Sequence, residues 1–240
     1  DKNLIKISNR TRDNKIAVIQ DKKTKVIFLE KFIRDKSYYE KVIYDKIDKY
    51  DLILINESAD RVVTNVNTRL IKTFKLNDDE RRVNLFAKYC KNKNILDFGC
   101  GFGEFLYKIK NAKSYSAVEL REQCIKMIKT KKKINITNNL DNFNNKFDLI
   151  TMFHVLEHVA DPIKFITNIA KRLTPNGTLV IEVPNVDDAL LSIYGLESFK
   201  EFYFSIAHLT YFSPNTLQRV TDAANLVGEI SCIARYGFNN

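Results

Sequence analysis

The sequence contains no apolar run of about eighteen residues, the length that a membrane-spanning helix needs. Its four cysteines, Cys90, Cys100, Cys124 and Cys232, form no C-x-x-C pair and no zinc-ribbon spacing. Nothing in the sequence resembles a signal peptide, although the chain begins at Asp1 and not at methionine. These absences predict a soluble, cytoplasmic protein whose thiols are reduced, with no disulfide and no zinc.

Positive charge is concentrated in the first part of the chain. Of the formal net charge of +10, residues 1–93 carry +9, with 23 Lys and Arg against 14 Asp and Glu. A basic segment suits the recruitment of nucleic acid or the positioning of an anionic small substrate. Lysines scattered along a chain also solvate a surface, and that interpretation is favoured here because lysine is abundant throughout.

The first 76 residues are predicted to form an N-terminal extension, or lid. Two apolar stretches around a polar turn predict a β-hairpin, and two later stretches repeat apolar residues at helical intervals. The hairpin strands are predicted at 16–20 and 26–29, and the helices at 37–50 and 58–74. Asn77, followed by three acidic residues, is typical of a helix N-cap and begins a second domain, 77–240.

From Asn94 onward, strand and helix patterns alternate. The strands are predicted at 94–98, 114–119, 134–137, 147–153 and 178–184, and the helices at 103–111, 121–133 and 162–173. Ser213 and Pro214 predict the start of a further helix that reaches about Asn225, and a strand follows at 229–235. Apolar strands linked by helices are typical of an α/β fold with a doubly wound, mostly parallel sheet.

Glycine is absent from the first 98 residues and then occurs three times in the turn after the first strand of this sheet, at Gly99, Gly101 and Gly103. Ligands bind at such turns in doubly wound sheets. A dinucleotide loop would carry a third glycine where this chain has Glu104, an acid that repels phosphate. Asp97 suits an ammonium group, and Glu119, which closes the second strand, suits ribose hydroxyls. An amine, a ribose and no phosphate describe S-adenosylmethionine.

With LDFGCGFG, SAVE and FDLITMFHVLEH in this order, the sequence resembles the class I S-adenosylmethionine-dependent methyltransferases from about residue 78 to the end. The resemblance implies a Rossmann-like methyltransferase fold and S-adenosyl-L-methionine as the cofactor. It implies that Gly99 and Gly101 pack against the methionine portion, that Asp97 reaches the amino group, and that Glu119 holds the ribose. Residues 139–141 are expected to border the adenine. The implied cofactor contacts also include Cys100, Leu120, Asn139, Leu140, Phe153 and His154.

All three histidines, His154, His158 and His208, lie on the predicted acceptor side. The segment HVLEH resembles a region of a subgroup that includes quinone O-methyltransferases, in which related members carry E-x-x-E-H as a metal site. His154, Glu157 and His158 share one helical face, which suits a divalent ion. Because His154 replaces the first acid of that pattern, we expect no metal and predict that these residues order the loops.

The segment AHLTYFSPNTL resembles the acceptor loop of bacterial sugar and natural-product methyltransferases. Sugar C-methyltransferases of that group carry H-E-H-L-S-Y-F-S-like sequences, whereas this chain has Ser205 and Ala207 there, which disfavours C-methylation. An oxygen or nitrogen acceptor needs one base near neutral pKa. His208 is the first candidate, with a loop-ordering role as its alternative, and His154 and Tyr211 are further candidate catalytic residues.

The sequence therefore predicts an enzyme, an S-adenosylmethionine-dependent O- or N-methyltransferase. Its acceptor is predicted to be a small anionic metabolite such as a sugar, a sugar nucleotide or a phosphorylated compound. An RNA methyltransferase that uses the basic N-terminal module is an alternative, although the extension lacks an RNP motif and a G-x-x-G loop. A non-catalytic, cofactor-binding interaction protein is a second alternative, which the intact glycine loop and Glu119 disfavour. The identity of the acceptor and the oligomeric state stay open.

Overall fold

The computed structural model describes residues 3–12, 14–31, 78–131 and 134–233, and the helices predicted at 37–50 and 58–74 and the predicted N-cap Asn77 lie outside these ranges. The strands of the described chain are β1 (Leu4–Ser8), β2 (Val18–Asp21), β3 (Ile27–Leu29), β4 (Asn94–Phe98), β5 (Ser114–Val118), β6 (Asn135–Thr137), β7 (Phe147–Phe153), β8 (Leu173–Glu182) and β9 (Thr210–Tyr211). The α-helices are α1 (Asp78–Cys90), α2 (Glu104–Lys108), α3 (Glu122–Lys131), α4 (Pro162–Ala170), α5 (Ala189–Ser192), α6 (Glu197–Tyr203) and α7 (Pro214–Ala223).

Five parallel strands form the central sheet, in the order β6-β5-β4-β7-β8. β4 lies in the middle, with Asp97 opposite Ala117 of β5 and Thr151 of β7. The chain first runs outward from β4 to β6 and then returns to the other side of β4 with β7, so the switch point lies between β4 and β7. The predicted α/β fold with a doubly wound parallel sheet is confirmed, and the residues after β4, β5 and β7 meet at one edge.

Alternate residues of the central strands pack into two separate apolar clusters. Ile95 and Leu149 belong to one cluster, and Leu96 and Ile150 belong to the other. All four side chains are at most 1% exposed. Because successive side chains of a strand point to opposite faces, this division shows that both faces of the sheet are covered.

One strand boundary differs clearly from the prediction. β8 begins at Leu173, which pairs with Phe147 ahead of an irregularity in the register, whereas the sequence predicted a start at residue 178. Pro175 and Gly177 are typical turn residues, and for that reason the sequence did not predict the first half of this strand.

The predicted β-hairpin of β2 and β3 is confirmed, but it belongs to a larger antiparallel sheet, β1-β2-β3-β9. β9 completes this sheet because Tyr211 pairs with Ile27 and Thr210 pairs with Phe28. An apolar cluster that includes Val18, Leu29 and Tyr211 lies against it. The N-terminal strands and the loop that carries His208 are therefore parts of one structural unit.

Helix α7 begins as the sequence predicts, and the segment after it does not. Ser213 caps the helix, because its hydroxyl accepts a hydrogen bond from the Thr216 amide at 3.2 Å. The strand predicted at 229–235 is wrong in its described part, since residues 229–233 pair with no other strand and Ile233 is 48% exposed. None of the described helices combines the length and the apolar character that crossing a bilayer requires.

Candidate active site

The glycine loop after β4 leaves no room for side chains. Gly99 has a φ of 73°, and a Cβ atom there would lie 2.5 Å from Cγ2 of Val155. Gly101 has a φ of 56°, and its Cβ would lie 3.2 Å from the Arg121 guanidinium. Both the left-handed backbone and the close neighbours therefore require glycine. The structure places these two glycines at the switch point of the sheet, where the sequence predicted a ligand.

Asp97 lies beneath this loop as a buried acid. Its carboxylate accepts a hydrogen bond from the Thr151 hydroxyl at 2.7 Å, and the residue is 2% exposed. Burial raises the pKa of Asp97 to about 7, although the Thr151 hydroxyl opposes the shift. Asp97 thus gains and loses its proton near neutral pH, and its predicted contact with the amino group of the cofactor stays a prediction.

Glu119, at the end of β5, binds the glycine loop directly. Oε2 accepts a hydrogen bond from the Gly101 amide at 2.8 Å, and Oε1 accepts one from each of the Leu120 and Arg121 amides at 2.9 and 3.0 Å. The Arg121 side chain binds both oxygens of the same carboxylate. Sequence reasoning missed Arg121, although an arginine two residues after the strand-end acid was the available signal.

Leu120, a predicted cofactor contact, follows β5, and residues 139–141, which were predicted to border the adenine, follow β6, the neighbouring strand of the sheet. Leu120 is 69% exposed and presents apolar surface next to Glu119. The Glu119 amide donates to the Thr137 carbonyl at 3.0 Å, which brings the end of β6 alongside. Asn139 then caps a short 3₁₀ turn that contains Leu140. These features leave an apolar side chain beside a ribose-type acid, an arrangement that suits a nucleoside.

His154 follows β7 and is held between two carboxylates. Its Nδ1 lies 3.1 Å from Oε1 of Glu157, and its Nε2 lies 3.4 Å from Oε1 of Glu182. Burial by itself lowers the pKa of His154, but the two carboxylates outweigh burial and raise it to about 9. His154 is therefore an imidazolium at neutral pH. Its backbone lies in the left-handed region, with a φ of 56°. This charge state suits a structural ion pair better than the role of a base.

Glu182, at the end of β8, connects His154 to helix α1. It accepts hydrogen bonds from Arg81 at 2.9 Å and from Arg82 at 2.7 Å. The Arg82 guanidinium also lies 4.6 Å from the centre of the Phe153 ring. Sequence reasoning missed this network because its members are separated by about a hundred residues. Phe153 packs edge-on against Phe105 at 5.1 Å, so its ring belongs to the packing around the site.

Glu157, His158 and His208 meet on the predicted acceptor side. Each offers one potential ligand atom, and these atoms lie within 4.8 Å of one another. The His158 and His208 rings are 5.0 Å apart. His158 Nδ1 donates to the Ala207 carbonyl at 2.7 Å, which ties the two loops together. The sequence grouped Glu157 and His158 with His154, whereas the structure adds His208 to them.

Two buried atoms of this cluster have no hydrogen-bond partner within the described part of the chain. They are Oε2 of Glu157, whose residue is 1% exposed, and Nδ1 of His208. Burial lowers the pKa of His208 to about 4, so its ring is neutral at pH 7. Burial alone would raise the pKa of Glu157, but the hydrogen bond from His154 and the neighbouring histidines hold it below its usual value. The cluster thus places the Glu157 carboxylate close to the neutral imidazole of His208.

Tyr211 contacts the loop that carries His208. Its hydroxyl donates to the Ser205 carbonyl at 2.8 Å and accepts from the Ser205 amide at 2.9 Å. The Tyr211 ring lies 5.8 Å from that of His208. Because the Ser205 backbone both donates to and accepts from the Tyr211 hydroxyl, Tyr211 holds together the two ends of the loop that carries His208.

A parallel sheet with a glycine loop at its switch point and a ribose-type acid after the next strand is typical of nucleoside-binding folds. Glu104, in place of the third glycine of a dinucleotide loop, favours the class I S-adenosylmethionine-dependent methyltransferases among them. A protein-family model described as a methyltransferase domain matches residues 71–229, and the chain belongs to this family. This finding confirms the class and the cofactor, S-adenosyl-L-methionine, that the sequence predicted.

One curated relative and two solved structures illustrate the similarity. The ubiquinone biosynthesis O-methyltransferase of Idiomarina loihiensis is 30% identical over 149 residues, which cover 56% of this chain and 61% of the relative. Magnesium protoporphyrin IX methyltransferase from Synechocystis, solved with bound S-adenosylhomocysteine, is 12% identical with a TM-score of 0.55, over 77% of this chain and 88% of that one. A methyltransferase from Archaeoglobus fulgidus is 22% identical with a TM-score of 0.52, over 67% and 74%. At these low identities the two solved structures show only that the fold is shared. The chain spans about three fifths of the length of the curated relative.

Proposed function

We propose that this protein transfers a methyl group from S-adenosylmethionine to a hydroxyl oxygen of a small molecule, with His208 as the base. The observation that carries the proposal is the neutral, half-buried imidazole of His208, whose Nδ1 atom is buried, beside the Glu157 carboxylate. The name of the relative, an O-methyltransferase, supports oxygen over nitrogen as the acceptor atom. The preference for an anionic metabolite such as a sugar or a phosphorylated compound stays a prediction.

The residues around the glycine loop fit this cofactor. A Cβ at Gly99 would collide with Val155 and displace the loop, Glu119 offers a carboxylate for the ribose, and Leu120 offers exposed apolar surface for the base. When bound, the cofactor supplies an electrophilic methyl group for in-line attack by an oxygen lone pair. Asp97 and Glu119 would hold its amino group and its ribose.

The acceptor must lose its hydroxyl proton as its oxygen becomes bonded to carbon. The neutral ring of His208 is in the protonation state that accepts a proton, although its low pKa makes it a weak base. Glu157 limits this weakness without removing it, because its carboxylate attracts the imidazolium that forms while burial, the larger effect, keeps the pKa low. His154 in turn holds Oε1 of Glu157 at 3.1 Å, which fixes the carboxylate in place.

The test is a screen for S-adenosylhomocysteine release over phenols, catechols, sugar alcohols, carboxylates and amines, followed by His208→Gln on the best acceptor. We expect turnover on a hydroxyl acceptor, and we expect the variant to lose at least about a hundredfold in kcat. Its affinity for S-adenosylhomocysteine should change less than about twofold, since His208 lies outside the proposed cofactor contacts. Turnover on amines alone, or an unchanged kcat in the variant, would contradict the proposal.

A further inference from the structure

The Arg121 side chain is hydrogen-bonded to the Glu119 carboxylate, the group that is proposed to bind the ribose. Its Nε lies 3.1 Å from Oε1 of Glu119 and its Nη2 lies 3.3 Å from Oε2, so the guanidinium binds both oxygens as a fork. Such bidentate pairs are among the stronger hydrogen-bonded contacts in proteins. The Glu119 side chain is 8% exposed, which leaves little of it to bulk water.

The donors around Glu119 outnumber its acceptor sites. Three backbone amides, of Gly101, Leu120 and Arg121, point at its two oxygens, and the Arg121 side chain adds two further donors. A carboxylate offers about four lone-pair positions. The amides are fixed by the loop and by the start of α3, whereas the Arg121 side chain turns about single bonds. A ribose diol, which brings two hydroxyl donors, can therefore enter only where the guanidinium leaves.

We propose that Arg121 is a latch that competes with the ribose of the cofactor for Glu119. This inference rests on the proposed role of Glu119 in cofactor binding. In the latched arrangement the guanidinium satisfies the buried carboxylate and covers Gly101, as its 3.2 Å approach to the Cβ position of that glycine shows. Binding of the diol exchanges the two side-chain hydrogen bonds for two hydroxyl ones, and the released guanidinium moves to solvent.

The latch sets cofactor affinity and selects for the diol. The energy of the Arg121 fork opposes the binding of every ligand that needs the carboxylate, and it does not oppose a nucleoside that lacks both hydroxyls and has no methionine portion to place over Gly101. Arg121 is thus a specificity-determining residue that acts through its competition for Glu119. The Phe102 ring, 5.6 Å from the guanidinium carbon, flanks it on the loop.

The experiment measures calorimetric affinities of the full chain and of Arg121→Gln for three ligands. These ligands are S-adenosylhomocysteine, adenosine and 2′,3′-dideoxyadenosine. Arg121→Gln should bind the first two about three to ten times more tightly, because a net hydrogen bond to a charged group no longer has to be broken. The dideoxy ligand should bind equally to both proteins. Arg121→Lys, which keeps the charge without the fork, should fall between them.

Lys126→Gln is the matched control, because it removes a cation from helix α3, which begins directly after Arg121. Lys126 pairs with Glu122 at the surface, and its side chain is 72% exposed. Its three affinities should equal those of the unmodified chain, and a thermal melt should show that all variants are folded. A gain for Arg121→Gln that the control shares would assign the effect to net charge and overturn the latch.

Three other outcomes are decisive. Weaker binding of S-adenosylhomocysteine and adenosine in Arg121→Gln, with dideoxyadenosine unchanged, would make Arg121 a direct ribose contact and refute the latch. Equal weakening of all three ligands would make Arg121 a support of the loop and would also overturn the proposal. If the unmodified chain binds neither S-adenosylhomocysteine nor adenosine at millimolar concentration, the proposed cofactor site itself fails.

Discussion

The imidazole of His154 lies 3.1 Å from the buried carboxylate of Glu157 and is an imidazolium at neutral pH. Its other ring nitrogen faces Glu182, which also binds Arg81 and Arg82. His154, which follows β7, is thus linked to helix α1 by ion pairs that share Glu182 at the end of β8. The sequence had assigned this residue to catalysis and to cofactor contact, and both assignments stay predictions that its charge state can test.

The ion pair predicts a pH dependence of stability. The pKa of His154 rises from its usual value to about 9 in the folded protein, so its contribution is complete below about pH 6.5 and is lost as the pH rises through 9. Because the side chain is 34% exposed, solvent screening limits this contribution to about 1 kcal/mol. Denaturant unfolding of the protein and of His154→Asn between pH 6 and 9.5 should show a difference in the free energy of unfolding that shrinks with pH. A constant difference would contradict the ion pair.

Substitution of Gly99 should weaken cofactor binding. An alanine there combines a φ of 73° with a Cβ atom 2.5 Å from Val155, so the loop must shift. We expect Gly99→Ala to weaken binding of S-adenosylhomocysteine by at least about tenfold, or about 1.4 kcal/mol, in calorimetry.

Gly195→Ala is the matched control for this change. Gly195 has a φ of 56°, and among the described residues no atom other than those of its chain neighbours lies within 4 Å of its Cβ position. It should cost about 1 kcal/mol of stability through backbone strain alone and leave cofactor affinity unchanged. If both variants bind equally well, the fit of the cofactor to the glycine cradle is wrong.

Asp97 should make cofactor affinity depend on pH around neutrality. Its pKa lies near 7, and only the carboxylate attracts an ammonium group. Affinity for S-adenosylhomocysteine should therefore rise between pH 6 and 8 and level off above. In Asp97→Asn, which keeps a group that can bond the Thr151 hydroxyl, the affinity should be lower at pH 8 and nearly independent of pH in this range. The same slope in both proteins would remove Asp97 from amino-group recognition.

Methyl transfer should survive the removal of divalent ions. Glu157, His158 and His208 approach one another within 4.8 Å, but the E-x-x-E-H pattern is broken at His154, which is engaged by two carboxylates. Turnover measured after dialysis against EDTA should equal that before. Loss of activity, with recovery on addition of one metal and not of others, would assign these three residues as ligands.

The parts of this fold that the sequence predicted are those encoded locally. The apolar runs of β4 and β7 and the glycine turn after Phe98 each lie within a few neighbouring residues, and Ser213 with Pro214 marks a helix start in two. The acids Asp97 and Glu119 were found because strand ends have a defined place in a parallel sheet.

The parts that escaped prediction depend on distant pairing. Glu182 meets Arg81 and Arg82 only after the sheet has formed, and His208 joins Glu157 through a loop that the sequence places fifty residues away. Arg121 was missed for a different reason, because its position two residues after Glu119 is visible in the sequence but the orientation of its side chain towards that carboxylate is not. Rotamers and long-range charge pairs of this kind have no signature in a single sequence.

The pairing of β9 with β3 has a consequence for how this protein is made. Ile27 leaves the ribosome well before its partner Tyr211, which follows it by more than 180 residues. During that interval the open edge of β3, flanked by apolar residues such as Leu29, has no strand beside it. Long-range β pairing of this kind closes slowly and leaves nascent chains prone to association. Chaperone dependence of expression should therefore be governed by the short β9 segment, Thr210–Tyr211, far more than by the central parallel sheet.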